Sequence, residues 1–361
     1  MVILSDYAAK TKLGKKLGIA LLVILFTAVV ANLKLIPSAS NSIPLYDGIF
    51  TYLAPISIFY LLLGVRLSAI KKAGAPMIIL FVLGSLATTL GILIAWYLLS
   101  PQGVLGEQGE IIAGMLTGTY TGGSVNFNAI ALEYDFQKQG VLYAGTIAVD
   151  NVVTALWIVV TLAMPSVLRS FWKEQKVVST DNQATETVSE QLTFHSLIWL
   201  AFLGVFAYYI SELIAIYFPS IPSILTLTTI GILLAQTKFV SNLPGSQMLG
   251  LYLVYLFLAV IGAFCEISAV VELKNVGLTL LLFASIAVIL HGIILVVLAR
   301  LTYRDWDMVA IVSQANIGGG TTAIALAESF NRKELILPAI LVGTLGNALG
   351  TYLGFLVIYL L

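Results

Sequence analysis

The chain has 361 residues, 59% of them hydrophobic and only 10% charged, with a mean hydropathy of +1.01. A soluble domain carries roughly 25% charged residues, so this composition excludes a soluble globule, and apolar runs of about 20 residues recur to the end, as in bilayer-crossing helices. The formal net charge of zero leaves no basic face for nucleic acid, and the period-two alternation of an outer-membrane barrel is missing.

In chain order, segment 1–16 is polar and basic, with Lys10, Lys12, Lys15 and Lys16 ahead of a long apolar run. That run lacks a clear cleavage site and reads as a retained helix, not a signal peptide. Apolar segments follow at 17–35, 46–65, 77–99, 110–133, 139–165, 194–218, 221–237, 247–265, 276–299, 307–328 and 335–361, about eleven membrane segments in all. Only 166–193 is long and polar, with the composition of a solvated linker, and it divides the chain into halves. The single cysteine, Cys265, excludes an internal disulfide.

Two of these segments are broken. The first, 110–133, carries Gly122-Gly123 followed by Ser124, Asn126 and Asn128. The second, 307–328, carries Gly318-Gly319-Gly320, with Gln314 and Asn316 before the glycines and Thr321 and Thr322 after them. The same tetrapeptide follows each break, Ala129-Ile130-Ala131-Leu132 and Ala323-Ile324-Ala325-Leu326. Irregular polar backbone at bilayer depth is expensive unless it lines a cavity. One such stretch per half is the sequence pointer to a transporter's binding site. Close helix packing through small residues would explain the glycines but not the clustered amides and hydroxyls.

The halves repeat. Gly123 and Gly319 are 196 residues apart, as are Asn151 and Asn347. Gly64 and Gly262 each precede a charged loop and a long apolar helix, whereas segment 194–218 has no counterpart in the first half. If both broken segments are re-entrant hairpins and the N-terminus is cytoplasmic, 15 Lys and Arg fall inside and only Lys34, Lys138 and Lys274 outside. Full crossings would give 11 inside and 7 outside, so the positive-inside rule favours hairpins. Each repeat then has an odd number of crossings, which inverts the second copy. The expectation is nine spanning helices and two hairpins that enter from opposite faces.

Substrate-binding candidates are Gly122, Gly123, Ser124, Asn126, Asn128, Gly319, Gly320, Thr321 and Thr322. Glycines let the backbone turn and present its amides, and helix N-termini beyond the turns aim partial positive charge at an anion. Asp150 is the one acid well inside an apolar span. A carboxylate at a helix centre costs on the order of 2.5–3.5 kcal/mol on insertion scales, so such residues usually face a cavity and act. Asp150, Asn151, Gln314, Asn316 and Asn347 are therefore candidate ligands of a coupling ion, Na⁺ or H⁺. Glu133 and Glu328 read as solvated helix ends and His291 as a packing residue, while Glu212 and Gln236 are low-grade candidates.

Enzyme signatures are missing, and no organic cofactor or metal beyond Na⁺ is indicated. There is no GxxxxGK[ST] loop and no HExxH site, and His195 and His291 are the only histidines. An intramembrane aspartyl protease would want a second buried Asp, but the repeat position of Asp150 holds Gly346. Gly122-Gly123-Ser124 is not the G-x-S-x-G elbow.

The run Lys10 to Leu17, Thr121-Gly122-Gly123-Ser124-Val125-Asn126, Asp150-Asn151 and Ala315-Asn316-Ile317-Gly318-Gly319 together resemble the YjcL-like integral membrane family over essentially the whole chain. That family, of unknown function, is grouped with the cation/proton antiporter and anion transporter superfamily. The resemblance implies an inverted-repeat fold with a scaffold and a mobile, elevator-like core. More distantly, the hairpins look like those of bacterial sodium–glutamate and hydroxycarboxylate symporters. Family members usually begin with a further apolar helix before the lysine-rich stretch.

The expectation is an all-α polytopic protein of the bacterial cytoplasmic membrane. Segments 17–65 and 194–265 would form the scaffold, 77–165 and 276–361 the core, and 166–193 a cytoplasmic linker. It would be an ion-coupled secondary transporter of a small organic anion, with homodimer contacts through the scaffold helices. The alternatives are a cation/proton antiporter and, in a different class, a membrane-embedded enzyme or receptor.

Overall fold

The computed structural model describes residues 1–38, 41–65, 67, 73–174, 192–219, 221–241, 243–265 and 274–361. Arg66, Lys71, Lys72 and the 175–191 part of the expected linker lie outside the described residues, as do the side chains of Thr321 and Glu328. Among the described residues the fold is helical, with no strand.

The first helices are α1 (Val2–Ala9), α2 (Lys12–Asn32), α3 (Pro44–Gly48) and α4 (Ala54–Leu62), then α5 (Ala75–Leu99). The first broken segment forms α6 (Gln108–Gly122) and α7 (Ser124–Glu133), followed by the long α8 (Gly140–Phe171). The second half comprises α9 (Phe194–Tyr217), α10 (Ser223–Ala235), α11 (Ser246–Phe264) and α12 (Lys274–Leu301). The second broken segment forms α13 (Trp306–Ile317) and α14 (Gly319–Ser329), and α15 (Ile336–Leu360) ends the chain.

Among the described residues, seven helices are long and apolar enough to cross a bilayer, and Leu22–Asn32 and Ser223–Ala235 are shorter apolar helices. Their outward faces are greasy: Leu86, Leu90 and Ile94, one turn apart on α5, are 47%, 48% and 40% exposed. A soluble protein rarely shows such a continuous apolar stripe.

Two details depart from the sequence expectation. Segment 46–65 is interrupted by a π-helical turn at Ile49–Leu53 between α3 and α4. Pro55, just inside α4, has no N–H for the carbonyl one turn back, and its ring crowds that carbonyl. The segment expected at 139–165 runs on to Phe171, with Pro165 kept inside the helix. The first six residues of the expected linker are thus helical.

The helices cluster into two compact units, interleaved along the chain. Unit 1 is 1–64, 131–151 and 190–280; unit 2 is 65–130, 152–189 and 281–361. Residues 131–151, which the sequence groups with 77–165, therefore cluster with the other unit. In unit 1, α4 lies among α9, α10 and α11, with Phe59 and Ile58 fully buried. Tyr60 Oη donates to the Leu200 carbonyl of α9 at 2.8 Å. In unit 2, Phe81, Trp306, Val309 and Val342 join one apolar core drawn from α5, α13 and α15.

Candidate functional site

The second broken segment lies in unit 2, as does the first up to Ile130. At Gly123 and Gly319 the backbone adopts φ of +104° and +79°, a region that favours glycine because a Cβ would clash there. Helix α6 has 15 residues and α13 has 12. At 1.5 Å per residue these are about 22 and 18 Å long, short of the roughly 30 Å hydrocarbon core.

Both segments fold back. In the first, the Cβ position of Gly118 lies 3.0 Å from Ile130 Cδ1 and 3.1 Å from Asn126 Cβ, so α7 returns along α6. In the second, Arg332 beyond α14 grips Asp305 at the start of α13 through two parallel contacts of 3.0 Å. Across the second turn, Gln314 Nε2 donates to Thr322 Oγ1 at 3.1 Å.

Helix α15 acts as a ruler for both. Gly343 lies against Gly320, its Cβ position 2.7 Å from the Gly320 Cα. Gly346 meets Gly122, Gly350 meets the Gly118 carbonyl, and Gly354 meets the Gly114 carbonyl. The hairpins therefore run in from opposite ends of α15 and bring their tips to its middle, at contact points roughly 4.5 Å apart along the axis. Glycines at every fourth position on both α6 and α15 allow this approach. A Cβ on Gly122 would sit 1.9 Å from the Gly346 carbonyl carbon.

The expected site residues divide by what they touch. Gly122 is spent on this packing. Asn126 is fully buried; its Oδ1 accepts from the Thr351 N–H (3.0 Å) and hydroxyl (2.8 Å), and its Nδ2 donates to the Gly346 carbonyl (3.3 Å). Gln314 is also fully buried, its Oε1 accepting from Thr161 Oγ1 at 3.1 Å. Asn316 Nδ2 donates to Ser85 Oγ at 3.1 Å, while its Oδ1 is buried without a hydrogen-bond donor. Asn128 is buried on α7.

The tips are more open. Ser124 is exposed, and Gly123, Gly319, Gly320, Thr322 and Asn347 are half-buried. Asn347 Oδ1 stands 3.9 Å from the Cβ position of Gly123. Thr321 belongs to the first turn of α14. Asp150, half-buried, and Asn151, exposed, lie on the stretch of α8 that clusters with unit 1.

Sequence reasoning left out a buried polar chain beside the second hairpin. His291 of α12 is fully buried. Its Nδ1 faces the Gly84 carbonyl (3.1 Å) and Thr88 Oγ1 (2.9 Å), and its Nε2 faces Ser313 Oγ (3.0 Å). A carbonyl can only accept, so Nδ1 carries the proton. The Thr88 hydroxyl donates to the Tyr120 carbonyl at 2.9 Å, and Trp157 Nε1 donates to Ser313 Oγ at 3.0 Å. The Ser313 hydroxyl is then left to donate to Nε2. As a packing residue with every ring nitrogen matched, His291 is what its apolar setting suggested.

The base of the second hairpin is ionic. Asp305 caps α13 by accepting from the Met308 N–H, and it is fully buried beneath Arg332. Arg332 also reaches Asp307 (3.2 Å) and Glu334, and Arg169 of α8 reaches Asp307 (2.7 Å) and Glu174 (2.8 Å). Burial works against the Arg332 charge, but the Asp305 and Glu334 carboxylates more than offset it and hold the guanidinium protonated. Glu174, Asp305 and Asp307 converge closely enough to bind a metal, yet each is already paired with Arg169 or Arg332.

A family model described as "Protein of unknown function (DUF819)" matches residues 1–361. The "Uncharacterized membrane protein YjcL" of Bacillus subtilis (strain 168) is 29% identical over 349 residues, spanning 90% of this chain and 85% of that relative. With its apolar helices and this full-length match, the chain is a membrane protein that belongs to the DUF819 family.

Proposed function

We propose that this protein is an ion-coupled secondary transporter of the bacterial cytoplasmic membrane that carries a small organic anion by alternating access. The observation that carries the reading is the meeting of two hairpin tips at the middle of α15, one from each end. Helices α7 and α14 both begin at the tips. Their free N–H groups and partial positive charge favour a carboxylate, each helix end contributing typically 0.3–1 kcal/mol and more where water is excluded. Ser124, Thr322 and Asn347 would add neutral donors beside Gly123, Gly319 and Gly320. Asn126 and Gln314 would hold the tips in shape instead of touching solute. This fits a protein that must release its cargo, because no fixed cation stands at the tips among the described residues.

Asp150, with Asn151, would hold the coupling Na⁺ or H⁺, and a core carrying the two hairpins would move in an elevator-like way, with the N-terminus and 166–193 cytoplasmic. No enzymatic step is part of this reading. Proteoliposomes test it: an imposed Na⁺ or proton gradient should drive uptake of a labelled mono- or dicarboxylate, and Asp150→Asn should abolish that uptake while the variant stays folded. Gradient-driven uptake that Asp150→Asn leaves unchanged would remove Asp150 from the mechanism, and no carboxylate uptake at all would sink the anion assignment.

A second reading, cation/proton exchange without an organic solute, rests on Asn316, whose buried Oδ1 has no donor and suits a bare cation. Proton movement driven by Na⁺ alone in the same vesicles would favour exchange.

A further inference from the structure

Unit 2 also carries an apolar groove of about 660 Å³ between α8 and α12, and none of the hairpin-tip residues lines it. Its walls are Val160, Val167 and Phe171 of α8 and Ile289, Ile293 and Val297 of α12, all exposed. Each set follows helical spacing, so each wall is one face of one helix. At one end the indole of Trp157 lies on Gly292, where a Cβ would come 2.4 Å from Trp157 Cη2. The Ser313 hydroxyl accepts from Trp157 Nε1 at 3.0 Å, which fixes that ring and gives the groove a firm floor. Trp172 lines the other end. The two tryptophans are 15 residues apart, about 22 Å along α8, against roughly 15 Å of hydrocarbon in one leaflet.

Apolar walls select nothing by themselves in a bilayer, because lipid tails are as apolar as the side chains. The second observation stands at the Trp172 end. The Arg300 guanidinium lies over the Trp172 ring, 5.2 Å from its centroid. Arg300 is exposed and shares the face of α12 that bears Ile293, Val296 and Val297. With 28 residues, α12 is about 42 Å long, so its last turn reaches past a hydrocarbon core of roughly 30 Å to the level of the headgroups. The neighbouring carboxylates are already engaged, Glu174 and Asp307 by Arg169 and Asp305 by Arg332. Among the described residues no carboxylate pairs with Arg300, nor with Lys173 and Arg304, which follow α8 and α12. A guanidinium stacked on an aromatic face keeps the N–H groups of its edge for a phosphate.

We propose that this groove holds an acyl chain of an anionic phospholipid whose headgroup phosphate lies on Arg300, with Lys173 and Arg304 adding positive charge. Basic pockets between membrane helices bind such headgroups on the cytoplasmic side, where the positive-inside rule puts this end of α8 and α12. A phospholipid without net charge would fit the walls equally well and lack the attraction. A free phosphate would meet the arginine and leave the walls uncovered.

The test is native mass spectrometry of the purified full-length protein in a non-ionic detergent, titrated with phosphatidylglycerol and with phosphatidylcholine of identical chains. The first phosphatidylglycerol should bind at least tenfold more tightly than phosphatidylcholine, and glycerol phosphate should not displace it. Arg300→Gln should cut that preference at least fivefold and leave phosphatidylcholine binding unchanged. Ile293→Trp, which fills the groove, should weaken both lipids. Both positions are exposed, so the lipid-free melting temperatures should match the wild type, and lost binding is then not lost folding. Asp150→Asn should bind lipid as the wild type does, which separates this site from the transport reading. Equal affinity for the two lipids, a preference that survives Arg300→Gln, binding untouched by Ile293→Trp, displacement by glycerol phosphate, or a lipid-free dimer that Ile293→Trp breaks would each overturn the assignment.

Discussion

The two hairpins share an interrupted-helix pattern and are held by different sets of contacts. The first is held along its length by backbone contact, glycine on glycine, with Asn126 stitched into α15. The second touches α15 through one glycine pair, Gly320 on Gly343, and is held by the Gln314–Thr322 contact near the tip and the Arg332–Asp305 grip at the base. A glycine interface is rigid along its whole face and tolerates no added volume. An ionic base fixes where a hairpin starts and returns, so the two interrupted segments reach one stretch of α15 by different contacts.

Breaking the ionic base should have the largest effect. Arg332→Met leaves Asp305 and part of Asp307 as uncompensated buried charges, a loss of about 3–5 kcal/mol. It should appear as a steep fall in the melting temperature of purified protein. Replacing the arginine and both aspartates together with apolar residues should restore much of it, because the cost lies in the orphaned charge.

Gly346→Val probes the other hairpin. Its new carbons would meet the Thr121 carbonyl and the Gly122 Cα, 2.5 and 2.6 Å from the Cβ position. Overpacking of this kind costs about 1–3 kcal/mol. The matched Gly343→Val change, against Gly320, should lower thermal stability in the same range while perturbing the second tip.

Asn126→Ala and Gln314→Ala compare the stitches. Asn126 satisfies three partners on α15, so its loss should cost about 1–3 kcal/mol. Gln314→Ala leaves two hydroxyls that can rotate to other acceptors and should cost less. A larger loss for Gln314→Ala, measured by denaturation in detergent, would reverse the ranking drawn here.

The smallest effect concerns pH. Burial opposes the Glu334 charge, but the hydrogen bond from Arg332 outweighs it and lowers the carboxyl below its ordinary value. A depressed folded-state carboxyl contributes stability above its unfolded value, near 4.3, and that contribution is lost as pH falls through the folded value. Partly exposed pairs are worth about 0.2–1 kcal/mol. Glu334→Gln should therefore lower stability slightly at neutral pH and flatten the decline below pH 4.

Much of the fold was legible in the chain, and the misses are instructive. Segment ends were found within a few residues because apolar runs and Gly or Pro punctuation are local signals. Pro55 was visible, but not the π-helical turn that accommodates it. The hairpin tips were legible because glycine runs at bilayer depth have few uses. The candidate site was less so: Gly122 and Asn126 look like ligands in the sequence, and the fold packs both against α15. The glycines spaced by four on α6 and α15 could have signalled this, yet only their facing one another separates an interface from a binding loop. Asp305 and Arg332 carry no motif, since a pair 27 residues apart is joined only by the return of a hairpin.

The sequence by itself determined that this is a helical membrane protein with two interrupted segments, because hydropathy and glycine's backbone freedom act locally. Only the tertiary structure decided which polar groups are spent inside the fold and which stand at the tips. Hydrogen bonds and close contacts are made between residues far apart in the chain, and whether an amide is satisfied depends on what the fold places across from it.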